Sequence, residues 1–209
     1  MQDHQFLKPL PSKTIKDARL LGLWFFHISS PIKPISRQEI QLANQLPPKR
    51  KKEYSQARGY ARYALSTLFG VNPLEIPLNS LPGKPPKLPE EWGSISISHC
   101  KDAFLIGWSS QAIGVDIERT DRIVNTNRFT KRFLNAQEQE SVRDEDKNYI
   151  QRKKLEYWLI KEAAIKLQKG NLFNDFHQWS ISEDSQTALH KILGYTINYN
   201  LMEFKSWSI

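Results

Sequence analysis

The segment Trp158 to Lys166, W-L-I-K-E-A-A-I-K, constrains the fold more than any other stretch of the chain. It lies inside a helical pattern running from about Lys147 to Lys169, which Gly170 is placed to cap. Apolar residues surround it almost completely, so the helix is expected to be buried on more than one side. Charges in such a helix are costly unless they are paired or coordinated, and this one carries Lys161, Glu162 and Lys166. Glu162 and Lys166 are four apart and face the same way. The residues alone leave two readings, an ordinary surface ion pair or buried charges that are paired or coordinated.

The rest of the chain supplies layers for such a helix. The run Leu20 to Ile28 is short and aromatic-rich, closes on Ser-Ser-Pro and reads as a buried strand. Ser36 with Glu39 forms a capping-box signature that opens a helix, and Pro47-Pro48 interrupts it. A second helix is expected from Lys49 to Phe69, stopping at Gly70, and residues 71–89 read as an ordered proline-rich loop. Three strands follow, Ser94–Ser98, Ala103–Trp108 and Ala112–Glu118, with breaks short enough for antiparallel pairing. The first alternates Ser and Ile, as expected where one face is buried and the other is not. Helices are expected over Asn127–Asn135 and Ala136–Arg143, and two or three strands from Gln178 onward. The order predicts an α+β fold of two halves, 1–110 and 111–209.

Composition narrows the class. A chain of 209 residues can bury a sizeable core, and its ten Phe, seven Tyr and six Trp speak against disorder. No apolar run reaches the roughly 20 residues that cross a bilayer. The first residues lack the apolar stretch of a secretory signal, and the single Cys100 has no internal disulfide partner. A reducing, cytoplasmic setting is therefore expected. The net charge of +8 points to an anionic partner: nucleic acid, a phosphorylated small molecule, an acidic protein or a membrane surface. Basic residues group at Lys49–Lys52, at Arg128, Lys131 and Arg132, and at Arg152–Lys154.

Four further groupings bear on chemistry. In Gly114-Val115-Asp116-Ile117-Glu118, a strand would put Asp116 and Glu118 on one face, where their mutual repulsion invites a cation. Equally, Asp116 can pair with an arginine while Glu118 opens a turn. Ser98-His99 at a strand end can grip a phosphate, or His99 can be structural. No G-x-S-x-G elbow supports a serine hydrolase, and Cys100 reads as a small core residue. Gly83-Lys84-Pro85 lets a backbone approach a ligand but is not a phosphate-loop motif. Lys49 to Lys52, with Arg58 and Arg62 following, reads as a solvated basic face, a nucleic-acid contact or a nucleotide-phosphate contact.

In order, Gly83-Lys84-Pro85, Ser98-His99, Gly114 through Glu118 and Trp158 through Lys166 resemble the Sfp-type 4′-phosphopantetheinyl transferases. That family's pattern is a G-K-P loop, a strand ending in S-H, G-[IV]-D-[IV]-E, and W-x-x-K-E-[AS]-x-x-K. The resemblance covers about residues 83 to 170, and Lys49 to Arg58 extends it. It implies a pseudo-dimer of two similar α+β halves with the active site at their junction. It also implies transfer of phosphopantetheine from coenzyme A to a serine of an apo acyl carrier protein or peptidyl carrier domain. Asp116, Glu118 and Glu162 match the family's metal-binding acids, for Mg²⁺ or Mn²⁺, with Glu162 as base and Lys166 at the leaving oxygen. Lys49, Lys52, Arg58, Lys84, Ser98, His99, Lys161 and Lys166 match positions that hold coenzyme A. A second proline after G-K-P and an end soon after Trp207 depart from the pattern and bear on carrier choice.

An enzyme of two internal halves is expected to act as a monomer, with no nucleic-acid or membrane partner. The competing classes are a basic RNA- or DNA-binding protein and a carrier-binding relative without catalysis. The first leaves the G-V-D-I-E segment and the glutamate on an apolar helix without a purpose. The second is disfavoured by the retained acids and lysines.

Overall fold

The computed structural model describes residues 20–124, 133–143 and 145–209. The first residues of the chain, the basic group Arg128, Lys131 and Arg132, and most of the helix expected over Asn127–Asn135 lie outside the described residues. The chain divides after Ile113 into two compact units, both of mixed α and β structure. Among the described residues no helix is long and apolar enough to cross a membrane.

The first unit is built on a three-stranded antiparallel sheet. β1 (Leu21–His27) and β2 (Ser94–His99) flank β3 (Ala103–Ser109), which is buried almost throughout. β1 alternates exposed or half-buried residues with the buried Trp24 and Phe26, as one apolar face requires. β2 departs from its expected one-sided pattern, because Ser96 and Ser98 are buried along with Ile95. α1 (Arg37–Asn44) opens with the capping box read from Ser36 and Glu39. α2 (Pro48–Phe69) starts with proline at its first turn and ends where Gly70 takes the left-handed conformation, φ 67°. Tyr60, Ala61, Ala64, Leu65 and Leu68 of α2 are fully buried in one cluster with Phe26, Phe104, Ile106 and Trp108. The Tyr60 ring stacks on Phe26 at 4.4 Å and meets Phe104 edge-on at 5.3 Å. Each such side chain withdrawn from water contributes on the order of 1.5–3 kcal/mol.

Arg58 and Arg62 are buried, contrary to a solvated basic face. Their Nε atoms donate to the two oxygens of Glu39 at 2.6 and 2.7 Å. Their remaining donors bind Ser80 Oγ and the carbonyls of Pro73, Ile76 and Leu78, tying the proline-rich loop to both helices. That loop is further closed by paired backbone bonds between Asn79 and Lys87.

In the second unit α3 (Ala136–Glu140) precedes α4 (Lys147–Gln168), the long apolar helix. Asp146 caps its start by accepting from the backbone of Asn148 and Tyr149. At its end the left-handed residue is Lys169, φ 58°, one position before the expected Gly170. Leu155, Leu159, Ile160, Ala164 and Ile165 share a buried cluster with Trp179, Ile181 and Ala188. The last three belong to an antiparallel sheet of β5 (Trp179–Ser182), β6 (Thr187–His190) and β7 (Thr196–Asn198), with β6 central. A second small sheet joins β4 (Glu118–Arg119) to β9 (Trp207–Ser208), which also pairs with β8 (Glu203–Phe204).

The strand expected over Ala112–Glu118 is not formed as such. Residues 112–117 lie outside any strand, and only Glu118 and Arg119 pair. Val115, Asp116 and Ile117 are all buried, so the V-D-I-E alternation does not divide an inside from an outside.

Candidate active site

The acidic cluster belongs wholly to the second unit. Gly114 sets it up by close approach: a Cβ at this position would collide with the backbone carbonyl oxygen of Ala163 and lie 2.7 Å from the Leu167 nitrogen. Only a residue without a side chain lets this segment rest on the α4 backbone. Asp116, two residues on, thereby reaches α4, where Lys166 Nζ donates to its Oδ1 at 2.7 Å. The same ammonium lies 3.2 Å from Glu162 Oε1, one turn back on the helix. Two carboxylates from distant parts of the sequence thus share one cation.

The electrostatics follow from that geometry. Burial pushes the Glu162 carboxyl above the ordinary carboxylate range, and the Asp116 charge adds to the effect against the pull of Lys166 and Arg122. For Lys166, burial alone would lower the ammonium, but Asp116 and Glu162 together outweigh it and raise the pKa. Glu118 is engaged separately, accepting a bond from Arg122, whose guanidinium also lies 4.6 Å from the Trp158 ring centroid. Arg122, absent from the sequence reading, therefore links the tryptophan of the W-x-x-K-E motif to the second acid of G-V-D-I-E.

Among the described residues, no three His, Cys, Asp or Glu side chains group closely enough to hold a metal ion. Glu118, the third acid of the expected set, has its carboxylate on Arg122. The donors present nevertheless fit a hard divalent cation. Asp116 and Glu162 offer only oxygen, they already converge on a positive charge, and Mg²⁺ asks for few protein carboxylates.

Lys161 is not part of this group. Its neighbour Glu162 faces Asp116, but consecutive residues on a helix point about 100° apart. Lys161 is instead fully buried, donating to Glu138 Oε2 at 2.6 Å and to the Phe133 carbonyl at 3.0 Å. Burial lowers its pKa and the Glu138 charge opposes that. Glu138 in turn caps α3 and accepts from the Ile181 backbone. Lys161 and Arg58, both expected at coenzyme A, are held in internal ion pairs with Glu138 and Glu39.

A cavity of about 470 Å³ in the first unit collects three of the other expected residues. Lys49 and Lys52, from the first turns of α2, line it together with His99 at the end of β2. The His99 ring stacks on Phe104 of β3 at 5.4 Å, which holds it at the rim. Gln56, Glu53, Cys100 and Lys101 complete the polar wall. Lys101 and Gln56 were not singled out by sequence, since neither falls in a recognisable motif. Ser98 is buried beside His99, and Lys84 sits on the exposed turn after Gly83; neither lines the cavity.

Comparison with known families fits both units. Residues 38–106 match the model of the 4′-phosphopantetheinyl transferase N-terminal domain, and residues 112–208 match that of the 4′-phosphopantetheinyl transferase superfamily. An N-terminal domain of this kind is typical of the Sfp type. No curated protein matches the chain. The two matches define a transferase, and the chain belongs to the 4′-phosphopantetheinyl transferase superfamily, whose members use coenzyme A as donor and act on carrier proteins.

Proposed function

We propose that this enzyme moves the 4′-phosphopantetheine arm of coenzyme A onto a serine of an apo acyl carrier protein or peptidyl carrier domain, releasing adenosine 3′,5′-bisphosphate. The observation that carries the reading is the convergence of Asp116 and Glu162 on the Lys166 ammonium. The cavity lined by Lys49, Lys52 and His99 supports the donor assignment, since its charge suits the 3′-phosphate.

The reaction forms a bond between serine Oγ and the β-phosphorus of coenzyme A, and breaks that phosphorus's bond to the bridging oxygen. The serine must lose its proton as it attacks. Glu162, made more basic than an ordinary carboxylate by burial and by Asp116, takes it directly or through a water. Lys166 lies one turn along the same rigid helix and stabilises or protonates the leaving phosphate oxygen. Asp116, Glu162 and Glu118 would hold Mg²⁺ or Mn²⁺, which supplies charge stabilisation to the phosphoryl oxygens when bound. Lys166 bonds two of these acids, Asp116 and Glu162.

The test is incubation with apo-carrier, coenzyme A and Mg²⁺, followed by mass spectrometry of the carrier. A gain of one phosphopantetheine arm is expected, and its absence across a panel of carriers would overturn the proposal. Asp116→Ala and Glu162→Ala should each abolish the gain while circular dichroism stays unchanged. Full activity in either variant would remove that residue from the mechanism.

A further inference from the structure

Lys101 stands on the turn between β2 and β3, beside His99 and outside every motif that links the chain to its family. The turn is fixed at both ends: the Cys100 N–H donates to the Ala103 carbonyl at 2.9 Å, and Ile28 N–H donates to the Asp102 carbonyl at 2.8 Å. Lys101 is thereby held on the wall of the cavity that Lys49 and Lys52 line from α2.

The charge on that wall is informative. Three lysines, Lys49, Lys52 and Lys101, stand against one carboxylate, Glu53, and leave a formal +2. Glu53, half-buried, meets the exposed Lys49 at 4.0 Å and the exposed Arg50 at 3.7 Å, each about one helical turn away. Pairs of this kind are weak, so an incoming anion competes for Lys49 with little opposition. A phosphate monoester carries about −1.5 to −2 at neutral pH, whereas each diester phosphate of a pyrophosphate carries about one charge. The full wall matches the monoester. Without Lys101 the formal charge falls to +1 and the match is lost.

We propose that Lys101 is a specificity-determining residue, the third ammonium that makes this cavity select a donor bearing a terminal phosphate monoester over one lacking it. The inference rests on the coenzyme A reading above and adds to it a residue that decides between coenzyme A and dephospho-coenzyme A.

Steady-state kinetics with both donors tests it, using the full chain and variants Lys101→Ala and Lys101→Arg. Lys101→Ala should raise KM for coenzyme A about five- to tenfold at unchanged kcat, the size of one charge-assisted contact. It should leave KM for dephospho-coenzyme A unmoved, and Lys101→Arg should restore most of the discrimination. Equal changes for the two donors, or none for either, would overturn the role.

A second measurement uses Cys100, the only cysteine of the chain, which lines the same cavity. Burial pushes its thiol up, so alkylation is followed at mildly alkaline pH. Adenosine 3′,5′-bisphosphate should slow the alkylation, and Lys101→Ala should require a severalfold higher concentration for the same protection. Protection of both proteins at equal concentration sinks Lys101 alone. No protection of the unaltered chain, together with no carrier modification, sinks the coenzyme A reading and this inference with it.

Discussion

Lysines near one another in sequence serve different ends in this chain. Lys161 and Lys166 belong to the same short motif, yet one is locked in an internal pair with Glu138 and the other sits on the acids Asp116 and Glu162. Removing one partner of a buried pair leaves the other charged and desolvated, at a cost of about 3–5 kcal/mol. Lys161→Ala should therefore lower the unfolding free energy measured by urea denaturation by that amount, and the midpoint with it, whereas Lys166→Ala should chiefly remove activity. Similar midpoints in the two variants would contradict this division. The motif as a string could not reveal the division, because Glu138 lies 23 residues from Lys161 and Asp116 lies 50 from Lys166. Helical spacing gives only the direction in which a side chain leaves the axis, not what waits there.

Local signals were legible among the elements where both partners were close in sequence. The capping box at Ser36 and Glu39, the stop at Gly70 and the apolar run of α4 all required only a few neighbouring residues. Two readings failed for the opposite reason. Arg58 and Arg62, one turn apart, looked like a solvated face until Glu39 arrived from α1, and V-D-I-E looked like a strand although its neighbour is a helix backbone. The Glu39 junction has a consequence for pH. Burial would raise its carboxyl, but Arg62, the Ser36 backbone and Arg58 together hold it below the usual value of 4.5. A depressed carboxyl stabilises the fold above its unfolded pKa and loses that contribution as pH falls through 4.5 toward the folded value. Denaturant unfolding of the unaltered chain and of Glu39→Gln should therefore differ most at pH 6 and converge as pH falls through 4.5 toward the folded value. A difference independent of pH would place the effect in packing instead of charge.

For the molecule as a whole, the two α+β units match two family models over residues 38–106 and 112–208, with a net charge of +8 across the chain. A positive surface of this size should draw an acidic carrier by long-range attraction, which salt screens over about 8–10 Å. Raising the ionic strength from about 50 to 300 mM should lower kcat/KM for an acidic carrier severalfold and act mainly through association. A flat response would mean that carriers are recognised by shape and apolar contact. The order of motifs made the family readable from residues 83 to 170, while the cavity was only half visible, because Lys101 and Gln56 line it by position and belong to no pattern.

The crossing of Gly114 over α4 also bears on how this protein can change. Most damaging substitutions can be repaired by trimming the side chain they strike. Here the obstructing atoms are the carbonyl oxygen of Ala163 and the amide nitrogen of Leu167, which every amino acid carries. No exchange at either of those positions makes room. A screen for revertants of Gly114→Ala should return the original glycine and no compensating change at 163 or 167, so the first residue of G-V-D-I-E has no local genetic escape.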